Sequence, residues 1–156
     1  MPHRSMPCRT PADFAGERGG FAPWCGPTVV AQAAGVTYGA ACALLRMTRP
    51  DGYPDGEEIV TAFWSDLLGS LARAAVPAEA APVAGRPTLC GLARGLGTGW
   101  WLVRVTNHFL LLRVADGTAR VYDNRLHGAP LSAQAHGRCR VTHLARLRDG
   151  IRSTAA

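Results

Sequence analysis

Hydrophobic and polar positions divide the chain into a first half with helical spacing and a second half with strand-like runs. The longest helical pattern covers residues 57–74, where apolar side chains recur at intervals of three and four. Asp55 is a candidate cap for this helix, and Gly69 is a candidate break within it. The pattern predicts one long amphipathic helix in the middle of the chain.

Shorter helices are predicted on both sides of this long one. The first covers residues 27–34, and Gly35 follows its end as a residue that adopts the left-handed conformation easily. The second covers residues 38–46, with Thr37 as its candidate cap. A third, short helix is predicted over residues 88–94. The helices therefore come before most of the strands.

After Gly99 the pattern changes to aromatic and β-branched runs, which are typical of strands. Strands are predicted over residues 100–106, 109–114, 118–122 and 139–144. The segment Ala115-Asp116-Gly117 carries the signal of a tight hairpin turn between the second and third of them. Helices followed by an antiparallel meander predict the α+β fold class.

The size of the chain fits a single domain. Its 156 residues, 47% of them apolar, are enough for one substantial core. Residues 1–20 combine Pro, Gly and charged residues and are interpreted as an irregular N-terminal arm. The folded domain is expected over residues 21–150, with a flexible tail over residues 151–156.

Charge and hydropathy exclude several classes of partner. The formal net charge is +6, and all seventeen basic residues are Arg, scattered rather than clustered with aromatic residues. A nucleic-acid partner is therefore not expected. The stretch Met1–Pro11 holds no apolar run, which argues against a secretory signal, and no apolar stretch approaches the length of a membrane span. We expect a soluble, cytoplasmic protein, and the sequence leaves its oligomeric state open.

One of the five cysteines has the surroundings of a reactive thiol. The odd number and the lack of a CxxC pair argue against a disulfide framework and against a structural zinc site. Cys25, however, stands directly before Gly26 and Pro27 at the predicted start of a helix. The positive end of the helix dipole favours a thiolate there. The backbone N–H groups of Cys25 and Gly26 are candidate donors to an oxyanion.

A base for this thiol is predicted at the edge of the meander. His108 lies between the first two predicted strands, and Asp123 follows the third. In an antiparallel meander the start of the second strand lies beside the end of the third, so both side chains are expected at one edge. Asp123 would then orient His108 by accepting one imidazole N–H, which leaves the other nitrogen for the thiol. Asn124 is an alternative orienting residue.

These residues form a pattern that resembles a known superfamily. The segments Trp24-Cys25-Gly26-Pro27-Thr28, Thr106-Asn107-His108-Phe109-Leu110 and Val121-Tyr122-Asp123-Asn124 are similar to the papain-like cysteine peptidases. In layout they are closest to the peptidase domains of bacterial ABC exporters that process bacteriocin leaders, and to small bacterial and phage relatives. The resemblance covers roughly residues 20–125.

The resemblance implies a papain-like fold, with N-terminal helices packed on a C-terminal antiparallel sheet, and a thiol protease acting on a peptide or protein substrate. It implies the triad Cys25, His108 and Asp123, with no metal and no cofactor. Peptidases of this type usually carry a Gln about six residues before the Cys. Here that position is Gly19, no Gln lies upstream of Cys25, and Gln32 falls inside the following helix.

Alternative functions follow from these same residues. The missing Gln favours a catalytically weak or inactive papain-like module that binds or inhibits a partner. The triad also serves acyltransferases and transglutaminase-like enzymes. A thioredoxin-like redox motif is suggested by residues 22–27, but its second cysteine is replaced by Thr28, so disulfide exchange within the motif is excluded. The remaining histidines of the C-terminal third are interpreted as surface or structural residues: His127, His136 and His143.

Overall fold

A computed structural model describes residue 7 and residues 9–152 of the chain. This described part contains five α-helices and six β-strands. The helices are α1 (Pro11–Glu17), α2 (Cys25–Ala34), α3 (Tyr38–Thr48), α4 (Trp64–Arg73) and α5 (Leu89–Ala93). The strands are β1 (Ala78–Ala81), β2 (Gly99–Val105), β3 (His108–Ala115), β4 (Thr118–Tyr122), β5 (His127–Pro130) and β6 (Val141–Leu147). The α+β class is thus confirmed.

The strands form one antiparallel sheet with helices on both faces. Its order is β1-β6-β2-β3-β4-β5, and α2 packs across β3 while α3 and α4 pack on α2. Trp100 and Leu111 belong to the core on the side of these helices. Trp101 and Leu112 belong to a second core on the opposite face, beneath α5. Because the central strands are buried on both faces, they read in the sequence as continuous apolar runs.

The caps predicted for the short helices are confirmed. Gly35 ends α2 in the left-handed conformation, with φ of 69°. The Thr37 hydroxyl accepts the backbone N–H of Ala40 at 3.1 Å at the start of α3. Thr88, which the sequence pattern places inside the third helix with no cap predicted, is the N-cap of α5, and its hydroxyl accepts the Gly91 N–H at 3.1 Å. Local hydrogen bonds fix these helix ends, and the residue types that form such bonds can be recognised in the sequence.

The interpretation of residues 1–20 as an irregular arm is wrong over the part that the structure describes. Helix α1 lies within it, and its residue Phe14 is fully buried in the helical core. Thr10 and Asp13 form a reciprocal capping box, in which each side chain accepts the backbone N–H of the other. The signal was present as Thr-x-x-Asp around Pro11, a pattern typical of a helix start.

The long helix predicted over residues 57–74 is only partly correct, because α4 begins at Trp64. The Tyr53 hydroxyl donates to Asp66 at 2.6 Å and accepts the backbone N–H of Phe63 at 3.1 Å, which holds the preceding segment outside the helix. Asp55 is exposed and its carboxylate lies 3.7 Å from Arg46, so it does not cap α4.

Two smaller expectations also need correction. Gly69 does not break α4, since it lies inside the helix, where a Cβ would come 2.7 Å from the Thr48 side chain. The tail predicted over residues 151–156 is ordered at its start, because Ile151 is buried and the Arg152 N–H donates to Ala33 at 2.9 Å. Residues 153–156 of that tail lie outside the described residues.

The meander is correct in its main strands. β2, β3 and β4 match their predicted ranges within two residues, and the hairpin turn places Asp116 and Gly117 at φ of 53° and 74°. The fourth predicted strand is shifted to β6, which inserts between β1 and β2. The edge strands β1 and β5 are short and were not predicted.

No helix within residues 7 and 9–152 is by itself long and apolar enough to cross a membrane. Only α2 and α3 taken together meet that criterion, and they form a pair bent by 104°.

Candidate active site

Helix α2 begins at Cys25 and carries this partly buried thiol at its positive end. The loop that leads into the helix is held from two sides. The Trp24 N–H donates to the Tyr38 hydroxyl at 3.1 Å, and the Asn124 side-chain amide donates to the Pro23 carbonyl at 3.1 Å. This loop is not a strand, unlike the element that precedes the cysteines of a thioredoxin motif. The sulfur is therefore presented from a fixed helix start.

Gly26 allows α2 to approach the segment that precedes α4. A Cβ on Gly26 would lie 2.8 Å from the Cβ of Ala62, closer than side chains pack in folded proteins. The glycine after the cysteine is therefore required by packing. It also leaves the first turn of the helix free of a side chain next to the thiol.

His108 is the first residue of β3 and lies against the Cys25 thiol. It follows Asn107, which turns the chain out of β2 with φ of 57°. The His108 imidazole and the Phe109 backbone N–H both interact with Cys25 in the sense that lowers the pKa of its thiol. The packing of α2 across β3 thus places the predicted nucleophile and base together.

Asp123 follows the end of β4 and binds the other side of the His108 ring. Its Oδ2 lies 2.8 Å from His108 Nε2, and the side chain is almost completely buried. Its Oδ1 accepts the backbone N–H groups of Arg125 and Leu126 at 2.8 and 2.7 Å. Asp123 thus contacts His108 at one edge of the sheet, as the sequence predicts, while the Asn124 side chain donates to Pro23 instead.

Sequence reasoning missed the contribution of His136 to this site. His136 Nε2 lies 2.8 Å from the same Oδ2 of Asp123, and its ring stacks on His108 with centroids 4.6 Å apart. His136 lies in the irregular segment between β5 and β6, where no periodic pattern indicates its neighbours. His127 and His143 instead pack against aromatic rings, those of Tyr122 and Trp64.

The surroundings of Cys25 and His108 shift both side chains towards their charged forms. Burial by itself would raise the pKa of Cys25, but the hydrogen bonds from His108 and Phe109 lower it below its ordinary value. Burial would lower the pKa of His108, but hydrogen bonds to Asp123 and Cys25 raise it to about 9. At neutral pH His108 is therefore protonated beside Cys25.

The pKa of Asp123 is well below its usual range in spite of burial. Burial disfavours the charged carboxylate, but the donors from His108 and His136 and the two backbone N–H groups favour it more strongly. Asp123 is thus a buried anion whose donors compensate for its desolvation. A charge of this kind is able to orient an imidazolium without taking its proton.

The two N–H groups that the sequence predicts as oxyanion donors lie at the start of α2, outside the hydrogen bonds of the helix. The Thr28 N–H bonds the Trp24 carbonyl, so the N–H groups of Cys25 and Gly26 precede the helical hydrogen bonds. Gln32 does not replace the upstream amide that is missing at Gly19. It is 1% exposed, about two turns along the helix from the thiol, and its amide has no partner within the described residues.

Three of these side chains also have the composition of a metal site. His108, Asp123 and His136 each offer one ligand atom, and these atoms lie within 4.8 Å of one another. Two imidazoles and a carboxylate suit a divalent transition metal. A metal ion would have to displace the two imidazole N–H protons that now bind Asp123, and would thereby dismantle the contact between His108 and Asp123.

A cavity of about 420 Å³ lies on the Phe109 side of the site. Its walls include Ala62, which abuts Gly26, and Trp64, whose ring stacks on Phe109 with centroids 6.4 Å apart. Arg104 and His143 complete the opposite wall. The cavity is large enough for part of a peptide chain, and it is separated from the thiol by residues around Gly26 and Phe109, since Cys25 and His108 are not among its lining residues.

Comparison with protein-family models, with curated proteins and with solved structures finds no match to this chain.

Proposed function

We propose that this chain is a cysteine-dependent hydrolase of peptide or isopeptide bonds, with Cys25 as nucleophile, His108 as acid and base, and Asp123 as the residue that orients His108. One observation carries the proposal. A continuous chain of contacts runs from the buried Asp123 carboxylate through His108 to a thiol at a helix start. Burial alone would suppress each of these charges, and the contacts among the three side chains, together with neighbouring N–H donors, maintain them.

The first half of the reaction forms a thioester. The Cys25 thiolate attacks the carbonyl carbon, and the N–H groups at the start of α2 stabilise the resulting oxyanion. As the carbon–nitrogen bond breaks, the His108 imidazolium gives its proton to the leaving amine. The acyl group is then bound to the Cys25 sulfur. His108 is neutral, and its Nε2–H still donates a hydrogen bond to Asp123.

The second half releases the acyl group to water. The free Nδ1 of neutral His108 takes a proton from a water molecule as the oxygen attacks the thioester carbon. The carbon–sulfur bond breaks, the thiolate of Cys25 is restored beside the imidazolium, and the product leaves as a carboxylic acid that loses its proton to the solvent. No redox partner and no metal takes part in these steps.

The layout of the site supports assignment to the papain-like superfamily. A helix that carries the cysteine packs on an antiparallel sheet that carries the histidine and the aspartate, as the motifs around Cys25, His108 and Asp123 suggest. We infer a peptide or protein as the substrate and the cytoplasm of a bacterium, or of a phage-infected cell, as the place of action.

A second candidate function is a papain-like module that binds or inhibits a partner without turnover. Gly19 favours it, because the amide donor that such peptidases usually carry at this point is missing. Loss of one oxyanion donor lowers the rate by about 10²–10³. Acyl transfer to an amine is open to the same triad as well, and it differs only in the acceptor of the second step.

Alkylation by iodoacetamide at neutral pH, followed residue by residue with mass spectrometry, tests the hydrolase proposal. We expect Cys25 to react at least about tenfold faster than Cys139, which is also partly exposed. The difference should disappear in His108→Ala. Equal rates for the two cysteines in the wild-type protein would favour the binding module instead.

A further inference from the structure

We propose that His136 is a positioning residue of the active site, which shares one oxygen of Asp123 with His108 and thereby sets how firmly that carboxylate holds the base. This inference rests on the proposed function of Cys25, His108 and Asp123. Both imidazole Nε2 atoms lie 2.8 Å from Asp123 Oδ2. Neither the motifs nor the spacing of the sequence assigns His136 a role.

The protonation of the carboxylate fixes the direction of both hydrogen bonds. Because the pKa of Asp123 is lowered, the side chain is ionised and accepts only. His108 and His136 must therefore both donate their Nε2–H groups to Oδ2. Oδ1 is already occupied by two backbone N–H groups, so the carboxylate is held in place by donors on both oxygens.

The segment that carries His136 is built to hold this side chain in one place. His136 adopts the left-handed conformation with φ of 65°, which costs energy for a residue with a Cβ. Two backbone hydrogen bonds hold the next residue, Gly137. Its N–H donates to the Ser132 carbonyl at 2.7 Å, and its carbonyl accepts the Cys90 N–H at 3.0 Å. A Cβ on Gly137 would lie 2.4 Å from the Cys90 sulfur.

Sharing the carboxylate has a definite consequence for His108. A neutral His136 draws part of the negative charge of Asp123 into its own hydrogen bond, and a protonated His136 repels the imidazolium directly. Either effect lowers the pKa of His108 relative to a protein without His136. The groups that the structure places around this contact are Asp123 from the end of β4, His108 from β3 and, beyond it, Cys25 from α2.

A less firmly held base is useful in both halves of the reaction. His108 must release its proton to the leaving amine, and it must then remain neutral long enough to activate water. Without His136, Asp123 would hold the imidazolium more tightly, and the fraction of neutral His108 at a given pH would fall. His136 thus acts on the base through Asp123 and through its ring, which stacks on His108.

The alternative is a structural role, in which His136 only fastens its segment to the end of β4. The experiment that separates the two uses the full chain labelled with ¹⁵N-histidine and follows the His108 ring by NMR as a function of pH. His136→Gly removes the imidazole and relieves the left-handed backbone. His136→Gln keeps an N–H of similar reach, and His143→Gln is a control on a histidine whose ring packs against Trp64.

We expect the midpoint of the His108 titration to move to higher pH in His136→Gly, to stay nearer the wild-type value in His136→Gln, and not to move in His143→Gln. The midpoint measures a ring that is not mutated, so a purely structural loss would lower thermal stability without this ordered shift. An unchanged His108 midpoint in a folded His136→Gly protein would overturn the inference.

The test is independent of whether the proposed function holds. Slow alkylation of Cys25 in the wild-type protein would refute the hydrolase, whereas the His108 titration reports on the contact between the two histidines and Asp123 alone. In an active enzyme, we expect His136→Gly to slow release of the acyl group about fivefold, the usual effect of one hydrogen bond. Substrate affinity should be retained.

Discussion

The chemistry of the site depends on one buried carboxylate. Asp123 is inaccessible to solvent, yet it stays charged because four N–H donors surround it, two from imidazoles and two from backbone. Those donors compensate for its desolvation, and its charge in turn keeps His108 protonated beside Cys25. A change at Asp123 should therefore change the pKa of the Cys25 thiol, although the His108 ring separates the two side chains.

Asp123→Asn tests whether the carboxylate affects the thiol through His108. An amide has one acceptor oxygen, so it cannot satisfy two backbone N–H groups and two imidazole N–H groups together. We expect the pKa of His108 to fall, the pKa of Cys25 to rise, and alkylation of Cys25 at neutral pH to slow by at least about tenfold. The matched control is Asp55→Asn, at an exposed carboxylate, which should leave the rate unchanged.

The raised pKa of His108 also predicts how stability depends on pH. The pKa of His108 is about 9 in the folded protein and near its ordinary value of about 6.5 in the unfolded chain. Its contribution to the free energy of unfolding is therefore complete below about pH 6.5 and is lost as pH rises through about 9. In the wild-type protein the lowered pKa of the Cys25 thiol acts in the opposite direction, because it makes the folded state more stable as pH rises towards the ordinary thiol pKa.

Cys25→Ser removes that compensation, while Asp123 still favours the protonated imidazole. Urea unfolding of Cys25→Ser should show a loss of about 1 kcal/mol in the free energy of unfolding as pH rises through this range. The double variant Cys25→Ser/His108→Gln should lose less. Parallel pH curves for the two proteins would show that His108 has no raised pKa.

At the scale of elements, the site depends on how closely α2 approaches its neighbours. The cysteine lies at the start of this helix, the histidine at the start of β3, and the segment before α4 closes against Gly26. The last of these contacts is close because Gly26 has no side chain. The position of the thiol therefore depends on a glycine at the residue that follows it.

Gly26→Ala should displace the first turn of α2, because the new methyl group would lie 2.8 Å from the Cβ of Ala62. We expect a loss of about 1–3 kcal/mol in stability, together with slower alkylation of Cys25. Gly39→Ala in α3 is the control, since nothing lies within 4 Å of its added Cβ. That change should be neutral or stabilising by up to about 1 kcal/mol, with Cys25 unaffected.

At the scale of the whole molecule, the sequence predicted what is determined locally. The caps of α2 and α3 and the hairpin between β3 and β4 are fixed by neighbouring residues, and from that hairpin the meeting of His108 and Asp123 follows. The helix predicted for the segment before α4 is wrong. This segment has helical spacing, but the hydrogen bonds of Tyr53 to Phe63 and Asp66 hold it in a different conformation.

His136 was missed for the same physical reason. Its partner is Asp123, and the contact depends on how an irregular segment folds back against α5 through Gly137 and Cys90. Likewise, the insertion of β6 between β1 and β2 follows from tertiary packing and has no local signal. Local patterns thus predicted the triad, whereas the packing of the whole chain decides which residues surround it.

The central claim is that Cys25 is a thiolate because His108 is protonated beside it. The most direct measurement is the ultraviolet absorbance of the thiolate as a function of pH, compared between the wild-type protein, Cys25→Ser and His108→Ala. We expect one thiolate in the wild-type protein well below the ordinary thiol pKa of about 8.5, and its loss in both variants. A wild-type protein whose thiolates appear only near that ordinary value, with the same curve in His108→Ala, would contradict the account.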